Sequence, residues 1–172
     1  ATTCEMIHKL LGMQKSVLLG NGGVPFSSAL GKLSSDKIVV LESSSFQLLG
    51  AESFAPRVSL VTNVAVDHLN YHGTFAAYKK TKINNFIHQK QDDFALFNCD
   101  DQGSNSLSAV SRSTTLFYSV DNPFANCYTD GDHVVLNLGG VRKKACAPFV
   151  SKWRRHNVSD AVGAILAVSV CG

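Results

Sequence analysis

Lys37-Ile38-Val39-Val40-Leu41-Glu42-Ser43-Ser44-Ser45 is the stretch that decides the fold class. Its apolar run, mostly β-branched, fits a strand buried on both faces, as in a parallel sheet, and not the alternation of a half-exposed strand. The run stops at a carboxylate and three serines, so polar groups collect where the strand ends. Val58-Ser59-Leu60-Val61-Thr62-Asn63-Val64 repeats the arrangement and leads into Asp67-His68. Upstream, Ser16-Val17-Leu18-Leu19 runs into the loop Gly20-Asn21-Gly22-Gly23-Val24-Pro25; downstream, Phe94 to Phe97 and Thr115 to Val120 read as further strands.

Helical segments separate these strands. Met6, Ile7, Leu10 and Leu11 recur at helical spacing, with Thr2 or Thr3 as N-cap and Gly12 as a stop. Ser27–Leu33, Thr74 to about Lys90, Gln102–Val110 and an apolar helix from about Val158 complete the series. Alternation of β and α over this length predicts an α/β fold, a mainly parallel doubly wound sheet flanked by helices. Beyond Asn122, Asn126–Thr129 and His133–Leu136 flank Asp130-Gly131-Asp132, a hairpin signal that adds a small antiparallel appendage.

The chain has 172 residues, enough for one domain of this class and not for two. Hydrophobic residues make up 45% and charged residues 17%, which excludes disorder. A net charge of +3, with basic residues scattered apart from Arg142-Lys143-Lys144 and Lys152 to Arg155, argues against nucleic acid as a partner. The five cysteines are far apart and form no Cys-x-x-Cys, so reduced cytoplasm is the simpler setting. The longest apolar stretch, Ala161–Val170, is too short for a bilayer, so no membrane insertion is expected. Because the chain opens directly into a helical pattern and closes on an apolar helix, it is expected to be a fragment of a longer protein.

Three residues suggest chemistry. Glu42 lies at the C-terminal edge of a buried parallel strand, where α/β sheets bind ligands and where a carboxylate can hold Mg²⁺; taken alone, it serves equally well as a helix cap. His68 lies just past another strand and can bind a metal or a phosphate oxygen, although an isolated loop histidine more often faces solvent. Lys82 shares a helical face with Phe75, Tyr78 and Phe86, spaced i, i+3, i+7 and i+11. A lysine held partly out of water has its neutral amine favoured, which suits carbamylation by CO₂; a lone lysine of this kind more often snorkels.

Together these segments resemble a known family. Glu42-Ser43-Ser44-Ser45-Phe46-Gln47-Leu48, Thr62-Asn63-Val64 with Asp67-His68-Leu69, Tyr71-His72-Gly73-Thr74-Phe75 with Ala77-Tyr78 and Lys82, and Asn98-Cys99-Asp100-Asp101 are similar to the central domain of the Mur ligases. Gly20 to Pro25 resembles that family's G-N-x-G loop, and Arg155-His156-Asn157 with Asp160-Ala161 its last central helix. The resemblance implies a P-loop-like, ATP-binding central domain over residues 1–172, lacking the phosphate loop just upstream and the far end downstream.

The run Ser44 to Leu48 looks like the D-glutamate-adding branch. That implies a cytoplasmic, monomeric ligase using ATP and Mg²⁺ to join D-glutamate to UDP-N-acetylmuramoyl-L-alanine through an acyl phosphate. Carried over by position, Glu42 and carbamylated Lys82 would hold Mg²⁺ and His68 a second Mg²⁺ or the substrate, with Lys82 and His68 as the catalytic pair. Thr2, Thr3, Asn157 and Asp160 would bind the nucleotide, and Asn21 and Ser44 the UDP-sugar. Another amino-acid-adding Mur ligase, a folylpolyglutamate synthase, and a degenerate non-catalytic nucleotide-binding domain remain the alternatives, the last suggested by Ala1 and Arg154 where the family pattern has other residues.

Overall fold

The computed structural model describes residues 2–67 and 69–171. In chain order the elements are α1 (Thr2–Leu11), β1 (Ser16–Gly20), α2 (Phe26–Ala29), β2 (Ile38–Glu42), α3 (Ser45–Leu49), β3 (Val58–Val61), α4 (Leu69–His72) and α5 (Phe75–Ile83). There follow β4 (Phe94–Asn98), α6 (Gln102–Leu107) with a 3₁₀ turn at Ser108–Val110, β5 (Thr114–Tyr118), β6 (Cys127–Thr129), β7 (His133–Leu138), β8 (Val141–Cys146) and α7 (Arg155–Cys171).

The β/α alternation is as the sequence predicts, but the sheet is divided. β3 to β8 form one sheet in strict sequence order, parallel from β3 to β6 and antiparallel from β6 to β8, while β1 and β2 form a separate parallel pair. The antiparallel strands are therefore an extension of the main sheet, joined by the single pairing of Tyr118 with Cys127.

Successive side chains of a strand point to opposite faces, and β4 uses both. Leu96 packs on one face with Tyr118, Val158, Val162 and Leu166, beneath α7. Ala95 and Phe97 pack on the other with Val61, Tyr78, Phe86 and Leu107, beneath α5 and α6. Val158, Val162 and Leu166 stand one turn apart along α7 and are essentially solvent-free, each contributing roughly 1.5–3 kcal/mol by burial. The edge-to-face pair Phe86–Phe97, with centroids 5.2 Å apart, adds about 1 kcal/mol on the opposite face.

Several elements are shorter than the sequence predicts, and each has a visible stop. α2 spans four residues because Leu30 is already extended. β3 ends at Val61, where side chains take over from the ladder: Ser104 Oγ donates to Val61 O at 2.7 Å and Asn98 Nδ2 to Thr62 O at 3.0 Å. α5 stops at Ile83; Asn84 turns its amide to Leu48 O, and Phe86, beyond the helix, drops into the core. Edge strand β8 is exposed throughout and carries Arg142-Lys143-Lys144, a charge run that guards the edge against strand addition. Lys144 also pairs with Asp130 at 2.7 Å. β2 is less buried than its apolar run predicts, since only Val40 is buried among its residues. One side of β2 faces a cavity.

Candidate active site

A cavity of about 790 Å³ separates the two sheets, with β2 on one wall and β3 on the other. Its lining includes Thr3, Ile7, Glu42, Val58, Asn63 and Lys82. Glu42 and Lys82, assigned to the site from a strand end and a helix face, thus open on a common space. His68 lies outside the described residues.

Glu42 owes its place to a close backbone contact between the two strand ends. Asn21 N–H donates to Glu42 O at 3.0 Å, and Gly20, at φ +110°, leaves no room for a side chain: a Cβ there would stand 2.2 Å from that oxygen. A glycine is required to let the loop cross β2 so closely. Asn21 itself is exposed beside the end of β2 and does not line the cavity. Ser44, two residues past Glu42, caps α3. Its hydroxyl accepts from Gln47 N at 3.3 Å while Gln47 Oε1 accepts from Ser44 N at 2.9 Å, a reciprocal capping box.

Lys82 is half-buried near the end of α5, its Nζ 5.6 Å from the Tyr78 ring centroid. Burial pushes its amine below the usual lysine value by disfavouring the ammonium, and the Asp67 carboxylate offsets part of that. The aromatic surround is largely as the sequence predicts: Phe75 stacks on Tyr78 at 6.2 Å, whereas Phe86 has left the helix and meets Phe97.

The residues assigned to the nucleotide divide. Thr2 is exposed, and Asn157 is partly exposed in the first turn of α7. Thr3 is buried and donates to Asp160 Oδ1 at 2.6 Å, so these two bind each other and tie α1 to α7. Asn98-Cys99-Asp100-Asp101 is a structural clamp. Asp101 Oδ1 accepts from Val64 N at 3.0 Å and Ser104 N at 2.6 Å, Asp100 accepts from Val120 N at 2.7 Å, and Arg155 approaches Asp100 at 3.5 Å.

Sequence reasoning assigned no role to His72, although Tyr71-His72-Gly73-Thr74 was conspicuous. Its Nε2 lies 3.0 Å from Ser45 Oγ, and its ring stacks on Phe46 at 5.7 Å. Gly73, at φ +73°, turns the chain from α4 to Thr74, whose hydroxyl accepts from Ala77 N and caps α5.

Among the described residues no group of three His, Cys, Asp or Glu side chains stands ready for a metal ion. Mg²⁺ commonly keeps several waters and takes one or two carboxylates plus substrate phosphates, so one strand-end carboxylate on an open cavity fits that habit. Among the described residues no helix is long and apolar enough to cross a membrane, and all five cysteines are unpaired.

The β/α order and the cavity at the strand ends define a domain of the Mur ligases: that family's middle-domain model matches residues 1–168, and the chain belongs to it. More particularly, it is similar to UDP-N-acetylmuramoylalanine–D-glutamate ligases. It is 35% identical over 168 residues to the one from Pelotomaculum thermopropionicum, covering 96% of this chain and 37% of that protein. To the one from Bacillus pumilus it is 38% identical over 124 residues, 71% of this chain and 28% of that protein. The chain thus spans little more than a third of the length of the first relative, and its match covers less than a third of the second. In fold it is similar to a UDP-N-acetylmuramoyl-L-alanyl-D-glutamate–2,6-diaminopimelate ligase, with TM-score 0.71 and 21% identity over 99% of this chain and 41% of that one. A MurF ligase from Thermotoga maritima in complex with ADP gives TM-score 0.65 at 17% identity, over 99% of this chain and 42% of that one.

Proposed function

We propose that this chain is the ATP-binding middle domain of a cytoplasmic, monomeric ligase. The reaction joins the amine of D-glutamate to the carboxylate of UDP-N-acetylmuramoyl-L-alanine, with ATP activating that carboxylate as an acyl phosphate and leaving ADP and phosphate. The observation that carries this reading is the half-buried Lys82 sharing a cavity with Glu42 at the strand ends. The Ser44–Leu48 run and the D-glutamate ligases among the relatives favour this amino acid over others.

Lys82 would act as a fixed anion. Its neutral amine, favoured by burial, attacks the carbon of CO₂; a C–N bond forms, one C=O electron pair moves to oxygen, and nitrogen gives a proton to solvent. The resulting carbamate and Glu42 would hold Mg²⁺, and His68 a second Mg²⁺ or the substrate; the metal when bound supplies positive charge against the repulsion between triphosphate and carboxylate. Thr2, Thr3, Asn157 and Asp160 would surround the nucleotide, with the Thr3–Asp160 bond holding α1 against α7. Asn21 and Ser44 would face the UDP-sugar.

The test is phosphate release by a ligase in which this chain supplies the middle domain, given ATP, UDP-N-acetylmuramoyl-L-alanine and one amino acid at a time. D-glutamate is expected to support turnover; turnover with diaminopimelate or lysine in its place assigns the chain to another branch. A second reading, a degenerate domain without turnover, draws on one observation: Thr3 and Asp160, both assigned to the nucleotide, satisfy each other. No phosphate release with any amino acid decides for it.

A further inference from the structure

His72 has no part in the reaction above, yet it joins the two sides of the site. Ser45, whose hydroxyl lies 3.0 Å from His72 Nε2, is 3% exposed and opens α3 directly after Ser44. The same imidazole lies 5.4 Å from the Tyr78 ring, over which Lys82 Nζ sits. At its other end α3 is held by Asn84, two residues past Lys82, whose Nδ2 donates to Leu48 O at 2.9 Å. The segment carrying Lys82 therefore grips α3 at both ends. A five-residue helix is too short to hold itself, so its position depends on such ties.

We propose that His72 is a positioning residue: by bonding Ser45 it fixes the Ser43–Ser45 turn, and with it Ser44 and Glu42, relative to Lys82. The proposal rests on the ligase reading and deepens it. Because Thr2, Thr3 and Asn157 lie on α1 and α7, away from this contact, the effect falls on the UDP-sugar side of the site more than on the nucleotide side.

Two measurements test it. In the ligase carrying this chain as middle domain, His72→Phe keeps a stacking ring and loses the hydrogen bond, while His72→Gln can return an amide to the Nε2 position. His72→Phe and Ser45→Ala are each expected to raise KM for the UDP-sugar roughly 5- to 10-fold, the scale of one lost hydrogen bond. KM for ATP should move less than twofold, the double variant should be no worse than either single one, and His72→Gln should stay near wild type. Equal rises in both KM values, additive single effects, or His72→Gln no better than His72→Phe overturns the proposal.

On the 172-residue chain itself, amide exchange of Leu48, whose N–H bonds Ser44 O, gives a readout independent of turnover. It should quicken at least about fivefold in His72→Phe and not in His72→Gln. Unchanged exchange in His72→Phe also overturns it. A wild-type ligase without turnover sinks the functional reading alone, and the exchange result then decides the positioning contact.

Discussion

Lys82 carries two predictions at the residue scale. If its carbamate supplies an anion, Lys82→Ala in the complete ligase should lose nearly all activity, and acetate at constant ionic strength should restore part of it by filling the vacated space. Near-normal phosphate release without acetate eliminates the role. The second concerns stability. Burial lowers the folded-state value below that of the unfolded chain, so the unfolded chain binds more protons in the window beneath the usual lysine value of 10.5, and stability rises with pH through that window. Lys82→Met, which keeps the stem and removes the charge, should therefore raise the melting temperature at pH 7, with the gain shrinking as pH approaches 10.5. A gain independent of pH points to packing instead.

That Glu42 and Lys82 open on one cavity was legible in the sequence because each belongs to a simple pattern: a run that ends, and a face that repeats. His72 was not, because its partner Ser45 lies 27 residues away and neither residue belongs to a pattern that points at the other. The bond between Thr3 and Asp160, 157 residues apart, was hidden for the same reason, which is why both were assigned to the nucleotide without being assigned to each other.

At the scale of elements, the strands and the helical stretch Gln102–Val110 were readable, and the short helices α3 and α4 were not. β1, β2, β4 and β5 lie within a residue or two of where their apolar runs place them. α3 has too few residues to show a period, and the Ser-x-x-Gln spacing of Ser44 and Gln47, which went unread in the sequence, is what marks its start. α6 depends on a cap that serves two elements at once, since Asp101 Oδ1 accepts from both Ser104 N in the helix and Val64 N after β3. Asp101→Ala should cost about 2 kcal/mol, more than an ordinary cap, because a second backbone N–H loses its partner as well. Urea unfolding measures this; a loss below about 0.5 kcal/mol shows that the clamp does not bear on β3.

On the scale of the whole molecule, the α/β class was legible from alternation, and the division into two sheets was not, because nothing local distinguishes a strand beside a cavity from a strand beside a neighbour. The chain spans 37% of the Pelotomaculum relative's length. Since catalysis of this kind is mostly positioning of several substrates, the 172 residues alone should give no D-glutamate-dependent phosphate release. Substantial turnover by the chain alone contradicts a role as one part of a larger catalyst.

The strict sequence order of β3 to β8 bears on how the chain finds its fold. Each strand pairs with the one made just before it, so that sheet can grow as the polypeptide emerges, through helical crossovers from β3 to β5 and shorter links from β5 to β8. The segment that carries α1, β1 and β2 is made first, yet its tie through Thr3 must wait for Asp160, near the opposite end. Early synthesis and late docking should leave this segment the least protected unit: in native-state hydrogen exchange, amides of β1 and β2 should open at lower free energy than those of β4 and β5. Equal protection would mean that the two sheets, separate in hydrogen bonding, nonetheless melt as one.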